Sequence, residues 1–399
     1  RGGVAFGSEE IFVLREPSKA QYEALTDSIV NFSKVGLVVI GRTGSESKDL
    51  ELQQVKQTTP GSNTKKTITD RHYLQLSTEE EDMIEVAKNT CEKVIVILNT
   101  ANTMETGFIE DDGIDGALLV GITGLTGVNG LVNVLKGEKE EPIPVRDSEG
   151  NPVYNDDGTP KYETNADGSV KTQTVKVSPS GRTADTYAYD IIGTTPSAVN
   201  QGNKGKNEKG AATVYSNGTA GGNDRYGAYV DYSEGIYVGY KWFETADAEK
   251  FWDDVSNDYG TGYDGVVQYP FGYGLSYTEF EWTVTKVEVS GKDKTSGEIT
   301  EKDTIKIWVE VKNTGNYPGA DVVELYYTAP YTPGGIEKAY VNLVDFAKTG
   351  VIQPGEADLV ELELTVQDMA SYDCYDVNNN GHAGYEVEAG EYNLRFMKN

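Results

Sequence analysis

Two short runs dominated by apolar residues, Val35–Ile40 and Lys93–Leu98, constrain the fold of the first third of the chain most strongly. A third run, Ala117–Val120, follows. Continuous apolar runs of this length are typical of strands that are buried on both faces of a sheet. They fall short of the ~18 residues that a membrane-spanning helix needs, and the sequence contains no apolar run of that length.

Helical patterns separate these runs. Before the first run, four apolar residues recur at spacings of three, four and three, in one stripe: Tyr22, Leu25, Ile29 and Phe32. A second helix is predicted from Ser77, with Glu80 as the partner of a capping box, and a third ends at Gly137. Strands that alternate with helices predict a mostly parallel sheet with flanking helices, an α/β sandwich.

A different pattern fills the chain from about residue 138 to 180. Three near-repeats place Asp-Gly or Glu-Gly turns eight to ten residues apart, at Asp147–Tyr154, Asn155–Tyr162 and Asn165–Lys171. Turns at this interval are typical of successive hairpins. We interpret the segment as a solvated β-ribbon inserted into the α/β domain.

The pattern changes again after Phe280. Short segments alternate apolar and polar residues, and turn residues separate them: 282–289, 304–312, 321–328, 339–347, 358–366 and 385–396. Strands of this length and spacing predict an antiparallel sandwich of immunoglobulin or fibronectin type III kind. The predicted domains are therefore residues 1–280, an α/β sandwich with the ribbon, and residues 281–399, an all-β sandwich.

The charge excludes some partners. Acidic residues outnumber basic ones 64 to 35, for a formal net charge of −29. Such a surface repels phosphate backbones and anionic lipids, so we expect no nucleic-acid and no membrane partner. Neutral sugars are compatible with it, although solubility alone also accounts for the charge. A homo-oligomer is left open.

Cofactor and metal signals are weak. Cys91 and Cys374 fall in different predicted domains, which excludes a disulfide framework and a cysteine-based zinc site. His72 and His382 have no partner at metal-binding spacing and are expected at the surface. The glycine turn at 121–130 lacks the spacing of a dinucleotide site, so no cofactor is predicted. The chain opens at Arg1 without a signal sequence, which indicates a piece of a larger protein and leaves its localisation undecided.

Three further patterns have a functional and a structural interpretation. Asp376-Val-Asn-Asn-Asn-Gly381 has the opening of a calcium loop, but its twelfth position is Val387, so we interpret it as a hairpin turn. Trp242 and Trp252 are candidates for stacking on a sugar, although buried aromatic residues are the commoner outcome. Ser45–Lys48, Tyr215–Asn217 and Lys348–Gly350 match serine β-lactamase motifs in spacing, but the first falls in a predicted Gly/Ser loop and the last in a different predicted domain.

A composite of motifs in a fixed order resembles a known family. It comprises Arg42–Asp49, the strand ending at Asn99, Gly121–Gly130, Pro179–Arg182, Glu234–Tyr240 and Tyr269–Tyr277. From about residue 20 to the end, apart from the ribbon, the sequence resembles glycoside hydrolase family 3. The resemblance implies that family's α/β-sandwich second domain followed by its fibronectin type III-like domain.

The resemblance also implies a division of the catalytic residues. The family's nucleophile is an aspartate on a (β/α)8 barrel, and nothing in this sequence reads as eight βα units. The acid/base of the β-glucosidase-like branch is a loop glutamate after a buried strand, which by position is Glu46. Ser45 and Ser47 replace the glycines usual beside it. Arg42 and Asp49 are candidates for contacting sugar hydroxyls or for bracing the loop.

The chemistry suits a glutamate at this position. A retaining glycosidase pairs two carboxyls about 5–5.5 Å apart, one as nucleophile and one as proton donor. Ligand sites in parallel sheets gather at the carboxyl ends of the strands. The predicted function is therefore part of a retaining β-glycosidase that hydrolyses terminal β-linked sugars from oligosaccharides or glycosides, with a barrel domain or chain as partner. The alternative is a catalytically silent carbohydrate-binding or adhesive module.

Overall fold

The computed structural model describes residues 17–42, 53–57, 65–195, 234–290 and 299–397. These residues form two compact units, one within Arg1–Thr123 and Ala184–Phe271, the other within Gly124–Thr183 and Gly272–Asn399. The predicted domain boundary near residue 280 stays a prediction.

The first unit contains a three-stranded parallel sheet. Its helices and strands before residue 124 are α1 (Lys19–Glu23), α2 (Thr26–Phe32), β1 (Val35–Arg42), β2 (Gln53–Gln57), β3 (Lys65–His72), α3 (Thr78–Thr90), β4 (Lys93–Thr100) and β5 (Gly116–Leu119). The strand order is β1-β4-β5, with Val38 opposite Val96 and Ile97 opposite Leu118. The predicted parallel sheet is confirmed, and β2 and β3 form a separate antiparallel pair.

Helix α3 begins where the capping box predicts. The Ser77 hydroxyl accepts a hydrogen bond from the Glu80 backbone N–H, and the Glu80 carboxylate accepts one from the Ser77 N–H at 2.8 Å. The helix packs on the sheet, and Ile84 joins Val38, Ile40 and other apolar side chains in one core. Each fully buried side chain of this kind contributes about 1.5–3 kcal/mol.

Two predictions for this unit are wrong. Strand β1 is buried on one face only, because Val38 and Ile40 face the core while Leu37 and Val39 are about half exposed. Helix α3, with its core, packs against the sheet from one side. The single apolar stripe before β1 forms two short helices, and its member Phe32 is exposed.

The remainder of the first unit is an aromatic cluster. It contains β8 (Tyr187–Ala188), α5 (Ile191–Thr194), α6 (Tyr240–Ala248), a 3₁₀ turn (Gly262–Gly265) and β9 (Val267–Tyr269). Strands β8 and β9 pair antiparallel. Trp252 is buried, as predicted for a core aromatic residue, and Trp242 packs edge-on against it with ring centroids 5.9 Å apart.

The second unit begins with helix α4 and the ribbon. Helix α4 (Val128–Lys136) ends at Gly137, which adopts the left-handed conformation (φ +70°) expected of a C-terminal cap. Strands β6 (Glu138–Pro142) and β7 (Thr172–Lys176) form the stem of the ribbon. The predicted successive hairpins are confirmed by tight turns centred on Gly150, Gly158 and Gly168.

The three hairpins follow one another between the two strands of the stem and meet at two junctions. At one junction three backbone hydrogen bonds close a ring: the N–H of Val145 donates to Lys161, that of Lys161 to Val153, and that of Val153 to Val145, over 2.8–2.9 Å. A second ring joins Ile143, Lys171 and Glu163 in the same way. These rings satisfy the backbone where strands change partners, which lets an almost wholly exposed segment keep a defined fold.

The rest of the second unit is a β-sandwich. Its strands are β10 (Phe280–Val289), β11 (Thr304–Asn313), β12 (Val322–Thr328), β13 (Asn342–Lys348), β14 (Ala357–Thr365), β15 (Ser371–Asp373), β16 (Gly384–Glu386) and β17 (Asn393–Phe396), with a 3₁₀ turn at Val366–Met369. One sheet has the order β10-β11-β14 and the other β13-β12-β17. Buried side chains from both sheets, such as Val309, Leu325 and Leu362, form one core. The predicted sandwich is confirmed.

Candidate active site

Strand β1 has a buried arginine, Arg42, as its last residue. The Arg42 guanidinium makes a two-pronged ion pair with Glu80 of helix α3, with Nη1–Oε1 2.5 Å and Nη2–Oε2 2.8 Å. Both side chains are only 7% exposed. Paired charges of this geometry are the arrangement in which a buried arginine is tolerated.

Backbone carbonyls take the remaining hydrogen bonds of Arg42. Its Nε donates to Tyr73 O at 2.9 Å, Nη1 to Gly41 O at 2.8 Å and Nη2 to Gln75 O at 2.7 Å. A guanidinium has five N–H donors, and the two to Glu80 bring the total to five. Arg42 therefore holds strand β1, helix α3 and the loop between β3 and α3 together, and has no donor left for a sugar.

The far end of the segment after β1 is anchored at the same loop. In strand β2, Gln54 Nε2 donates to Gln75 O at 3.0 Å, Leu76 O at 3.1 Å and His72 O at 3.3 Å. The carbonyl of Gln75 thus accepts from both Arg42 and Gln54. Residues 43–52, which include Glu46 and Asp49, lie outside the described residues, but their two flanks meet at one carbonyl oxygen.

A second, partly buried carboxylate, that of Glu105, contacts the same loop. Glu105 accepts hydrogen bonds from His72 Nε2 and Gln75 Nε2, both at 2.8 Å, and from the Ile191 backbone N–H at 3.0 Å. The His72 Nδ1 atom accepts from the Leu74 N–H, which fixes the proton on Nε2. The expectation that His72 is a surface residue is therefore wrong, because Glu105 lies 33 positions away and no local spacing reveals it. His382 is exposed, as predicted.

Tyrosines line the neighbouring part of the first unit. Tyr189 donates to Glu110 at 2.8 Å and stacks on Tyr259 with ring centroids 3.9 Å apart. Burial and the Glu110 hydrogen bond raise the pKa of Tyr189. Burial also raises the pKa of Tyr263, whose hydroxyl donates to Glu244 at 2.5 Å. These phenols stay protonated at neutral pH and serve as hydrogen-bond donors.

The described residues contain neither a metal-binding cluster nor a membrane-spanning helix. Within the described ranges, no three His, Cys, Asp or Glu side chains converge as a metal site. No helix in the part of the chain that the structure describes is long and apolar enough to span a bilayer. Of the β-lactamase-like motifs, only Lys348–Gly350 lies in described residues, at the end of β13 in the sandwich.

Comparison with known proteins extends over most of the chain. A family model for the fibronectin type III-like domain matches residues 321–398. Beta-glucosidase A from Butyrivibrio fibrisolvens is 30% identical over 332 residues, covering 82% of this chain, and a beta-glucosidase from Ruminococcus albus is 29% identical over 382 residues, covering 94%. A solved β-glucosidase structure from Paenibacillus barengoltzii matches 96% of the chain at 27% identity with a TM-score of 0.62.

The resemblance to glycoside hydrolase family 3 is confirmed. The chain covers 30% of the Butyrivibrio protein, 29% of the Ruminococcus protein and 30% of the Paenibacillus chain. It therefore spans about a third of the length of these family 3 relatives. A second solved structure, β-glucosidase 3B from Thermotoga neapolitana, shares the fold over 95% of this chain with a TM-score of 0.57 at 24% identity.

Sequence reasoning identified one of the residues that shape the described part of this site and missed the others. Arg42 was identified through the family motif. Gln54, Gln75 and Glu105 carry no local signature, since their hydrogen bonds join segments 21–86 positions apart. The one available signal was the Ser77–Glu80 capping box, which places a carboxylate at the start of a helix that follows the β2–β3 pair.

Proposed function

We propose that this chain is part of a retaining β-glycosidase of the β-glucosidase type. In it, Glu46 acts as the acid/base, and a (β/α)8 barrel outside this chain supplies the nucleophile. The main support is the match to β-glucosidases over 82–96% of the chain, which covers only about a third of each relative's length. The length that the chain does not cover leaves room for a barrel.

The anchored flanks of residues 43–52 support the role of Glu46. Arg42 and Gln54 attach the two ends of this segment to Gln75 O, beyond the carboxyl end of a strand in a parallel sheet. Such edges are where α/β folds place their ligands. Since Arg42 has all five donors engaged, we assign it a bracing role and leave contact with sugar hydroxyls to other groups, Asp49 among them.

The proposed reaction has two steps. The barrel carboxylate attacks the anomeric carbon while Glu46 gives its proton to the departing glycosidic oxygen. The same residue, now a carboxylate, then takes a proton from a water molecule as the water oxygen attacks that carbon and releases the enzyme. Burial beneath the departing sugar and the neighbouring nucleophile carboxylate would both raise the pKa of the proton donor, which keeps it protonated near neutral pH.

The test replaces Glu46 by Ala in the barrel-containing protein. Loss of general acid/base help reduces turnover of cellobiose-like substrates by ~10²–10⁴-fold. Dinitrophenyl β-glucosides lose much less in the first step, because their leaving group needs no proton. Azide then accelerates turnover and yields the β-glycosyl azide, since azide needs no general base. Glu51→Ala, at another acidic residue of the same segment, serves as the matched control and keeps the activity.

Two outcomes contradict the proposal. Equal losses on good and poor leaving groups, without azide rescue, would assign Glu46 a structural role. A barrel-containing protein that hydrolyses no β-glycoside but binds oligosaccharides would favour a catalytically silent binding module. The chain of residues 1–399 alone is expected to be inactive, because one carboxyl of the pair is absent.

A further inference from the structure

The loop between β15 and β16 carries the sequence Asp376-Val-Asn378-Asn-Asn380-Gly381. Oxygen-bearing side chains at positions one, three and five followed by glycine at six are the opening of a calcium-binding loop. The sequence alone favours a hairpin turn, because the twelfth position is Val387 instead of an acidic residue. The folded loop supplies a carboxylate from another position.

Backbone N–H groups of the loop donate to four oxygens of three side chains. Asp376 Oδ1 accepts the N–H groups of Asn380 at 2.9 Å and Gly381 at 3.2 Å, and its Oδ2 also accepts Gly381 N–H at 3.2 Å. Asn378 Oδ1 accepts from Asn380 N–H at 3.1 Å, and Asn380 Oδ1 accepts from His382 N–H at 2.8 Å. Each oxygen has two lone pairs, so these bonds orient the oxygens and leave acceptor capacity for a cation.

Strand pairing brings Glu386 to this loop. Glu386 lies opposite Ser371 in the β15–β16 pair, and its Oε2 accepts from the Nδ2 atoms of Asn378 at 2.9 Å and Asn380 at 2.5 Å. The eleventh residue of the loop therefore provides the carboxylate that the calcium-loop pattern expects at the twelfth.

The state of the other carboxylate oxygen of Glu386 indicates a ligand independently of the sequence motif. Its Oε1 is buried and has no hydrogen-bond partner in the part of the chain that the structure describes. A buried carboxylate oxygen without a partner is costly, and in folded proteins it is normally satisfied by a donor, an ordered water or a cation. The two amide N–H groups on Oε2 do not neutralise the charge of this carboxylate.

We propose that the loop of residues 376–386 binds a Ca²⁺ ion. The ligands would be the carboxylates of Asp376 and Glu386, the side-chain oxygens of Asn378 and Asn380, and the backbone carbonyl of His382. Ca²⁺ takes six to eight oxygen ligands in flexible geometry, whereas Mg²⁺ requires a strict octahedron, so an amide-rich loop selects Ca²⁺. With two carboxylates in the site, we expect a Kd on the order of 10⁻⁴ M, within the range of extracellular calcium modules.

Nearby Asp373 belongs to the support of the loop. It is buried, and its two oxygens accept the backbone N–H groups of Tyr375 at 3.0 Å and Val377 at 2.8 Å. These bonds fix the backbone that leads into Asp376. The site is independent of the proposed glycosidase function, because its residues belong to the sandwich.

Isothermal titration of the chelator-stripped full chain with CaCl₂, in 0.15 M KCl and 5 mM MgCl₂, tests the proposal. Salt and magnesium suppress diffuse binding to a surface of charge −29. We expect one site and a rise of a few degrees in the Tm at 10 mM Ca²⁺, because a ligand that binds only the folded state stabilises it. Absence of a calcium-specific binding heat at 5 mM CaCl₂ would overturn the proposal.

Matched variants locate the site. Glu386→Gln and Asp376→Asn each remove one charge at nearly constant size and are expected to weaken Ca²⁺ binding at least tenfold. Glu391→Gln, at an exposed position outside the loop, removes the same charge and leaves binding unchanged. Wild-type affinity in both loop variants would overturn the proposal. If the variants fold poorly, the wild type still decides, since equal affinities for CaCl₂ and MgCl₂ alone would contradict it.

Discussion

Helix α3 offers a test of whether Arg42 braces the protein, because its first turn carries two arginine–glutamate pairs. Arg42–Glu80 is buried, with both side chains 7% exposed. Arg71–Glu81 has an N–O distance of 2.8 Å, with side chains 34% and 47% exposed. Both glutamates lie at the same end of the same helix, so the helix dipole affects both. The perturbation is Glu80→Gln, and Glu81→Gln is its control.

The expected cost of Glu80→Gln follows from what Arg42 loses. Breaking a buried ion pair by neutralising one partner typically costs about 3–5 kcal/mol. Arg42 keeps three carbonyl acceptors, which places the cost at the lower end of that range. Glutamine cannot accept from Ser77 N–H and from both Arg42 nitrogens at once, so the cap is weakened by about 0.5–1 kcal/mol more. The sum is roughly 3–4 kcal/mol.

Thermal denaturation followed by circular dichroism measures the difference. For a domain of 150–250 residues, 1 kcal/mol corresponds to about 2–4 °C, so Glu80→Gln lowers the Tm by roughly 6–16 °C. An exposed pair contributes less than about 1 kcal/mol, and Glu81→Gln lowers the Tm by less than about 4 °C. Equal small shifts in both variants would refute the bracing role. Arg42 would then have to be reconsidered as a sugar-binding residue, with a raised KM as its signature.

Three further predictions concern the second unit. Replacing residues 143–171 by Asn-Gly keeps the β6–β7 stem. Because the replaced segment is almost wholly exposed, the Tm shifts by only a few degrees, about 1 kcal/mol in the free energy of unfolding. A collapse of folding would show that the segment has a structural role. Hydrogen bonds from hydroxyl and backbone groups two residues on lower the pKa values of Asp157 and Asp167. Because their folded pKa values lie below the unfolded value of about 3.9, their contribution to stability is present above that pH and is lost as the pH falls through the folded values. Carboxyl NMR titration checks this, and midpoints at or above 3.9 would contradict it. Gly137→Ala is destabilising by about 1 kcal/mol or more, because it forces alanine to φ +70° and places its Cβ 2.7 Å from a tyrosine hydroxyl. Gly130→Ala, in open space within helix α4, is stabilising by up to about 1 kcal/mol. Urea denaturation measures both changes in the free energy of unfolding, and changes of equal sign would contradict the argument.

Sandwich strands were the most predictable elements, because one face of each strand differs from the other. The segment 304–312 became β11 (Thr304–Asn313), where Ile305, Ile307 and Val309 are buried and the residues between them are partly exposed. The segment 385–396 was predicted as one strand but forms the end of β16 and then β17. The apolar residues fall on odd positions up to Ala389 and on even positions from Tyr392, so the alternation itself shifts phase near Gly390. At Gly390 a Cβ would meet Pro330 at 2.7 Å.

The burial of strand β1 on only one face was not predictable from its composition. A run such as Val35–Ile40 contains enough apolar residues for two buried faces, but burial depends on which elements pack on each side. The position of helix α3 decides it here, since the helix supplies Ile84 to the face of Val38 and Ile40. The apolar pattern predicts that this segment is a strand, and the packing of helix α3 determines which face of the strand is covered.

The two proposed sites of this protein show the same limit of local motifs. For the proposed calcium loop, a rule that counts positions along one segment overlooks Glu386, whose carboxylate reaches the loop through the pairing of Ser371 with Glu386. For the candidate active site, the family motif gives only the sequence position of the proposed acid/base, Glu46, whereas the described residues on either side of its segment, Arg42 and Gln54, are anchored by hydrogen bonds to the Gln75 carbonyl. An acid/base must approach a nucleophile to within about 5–5.5 Å, so its segment needs flanks that do not shift when substrate binds. The hydrogen bonds from Arg42 and Gln54 to the Gln75 carbonyl provide such fixed flanks, and all five donors of Arg42 are engaged. Loosening Gln75 should therefore impair proton donation without changing the nucleophile.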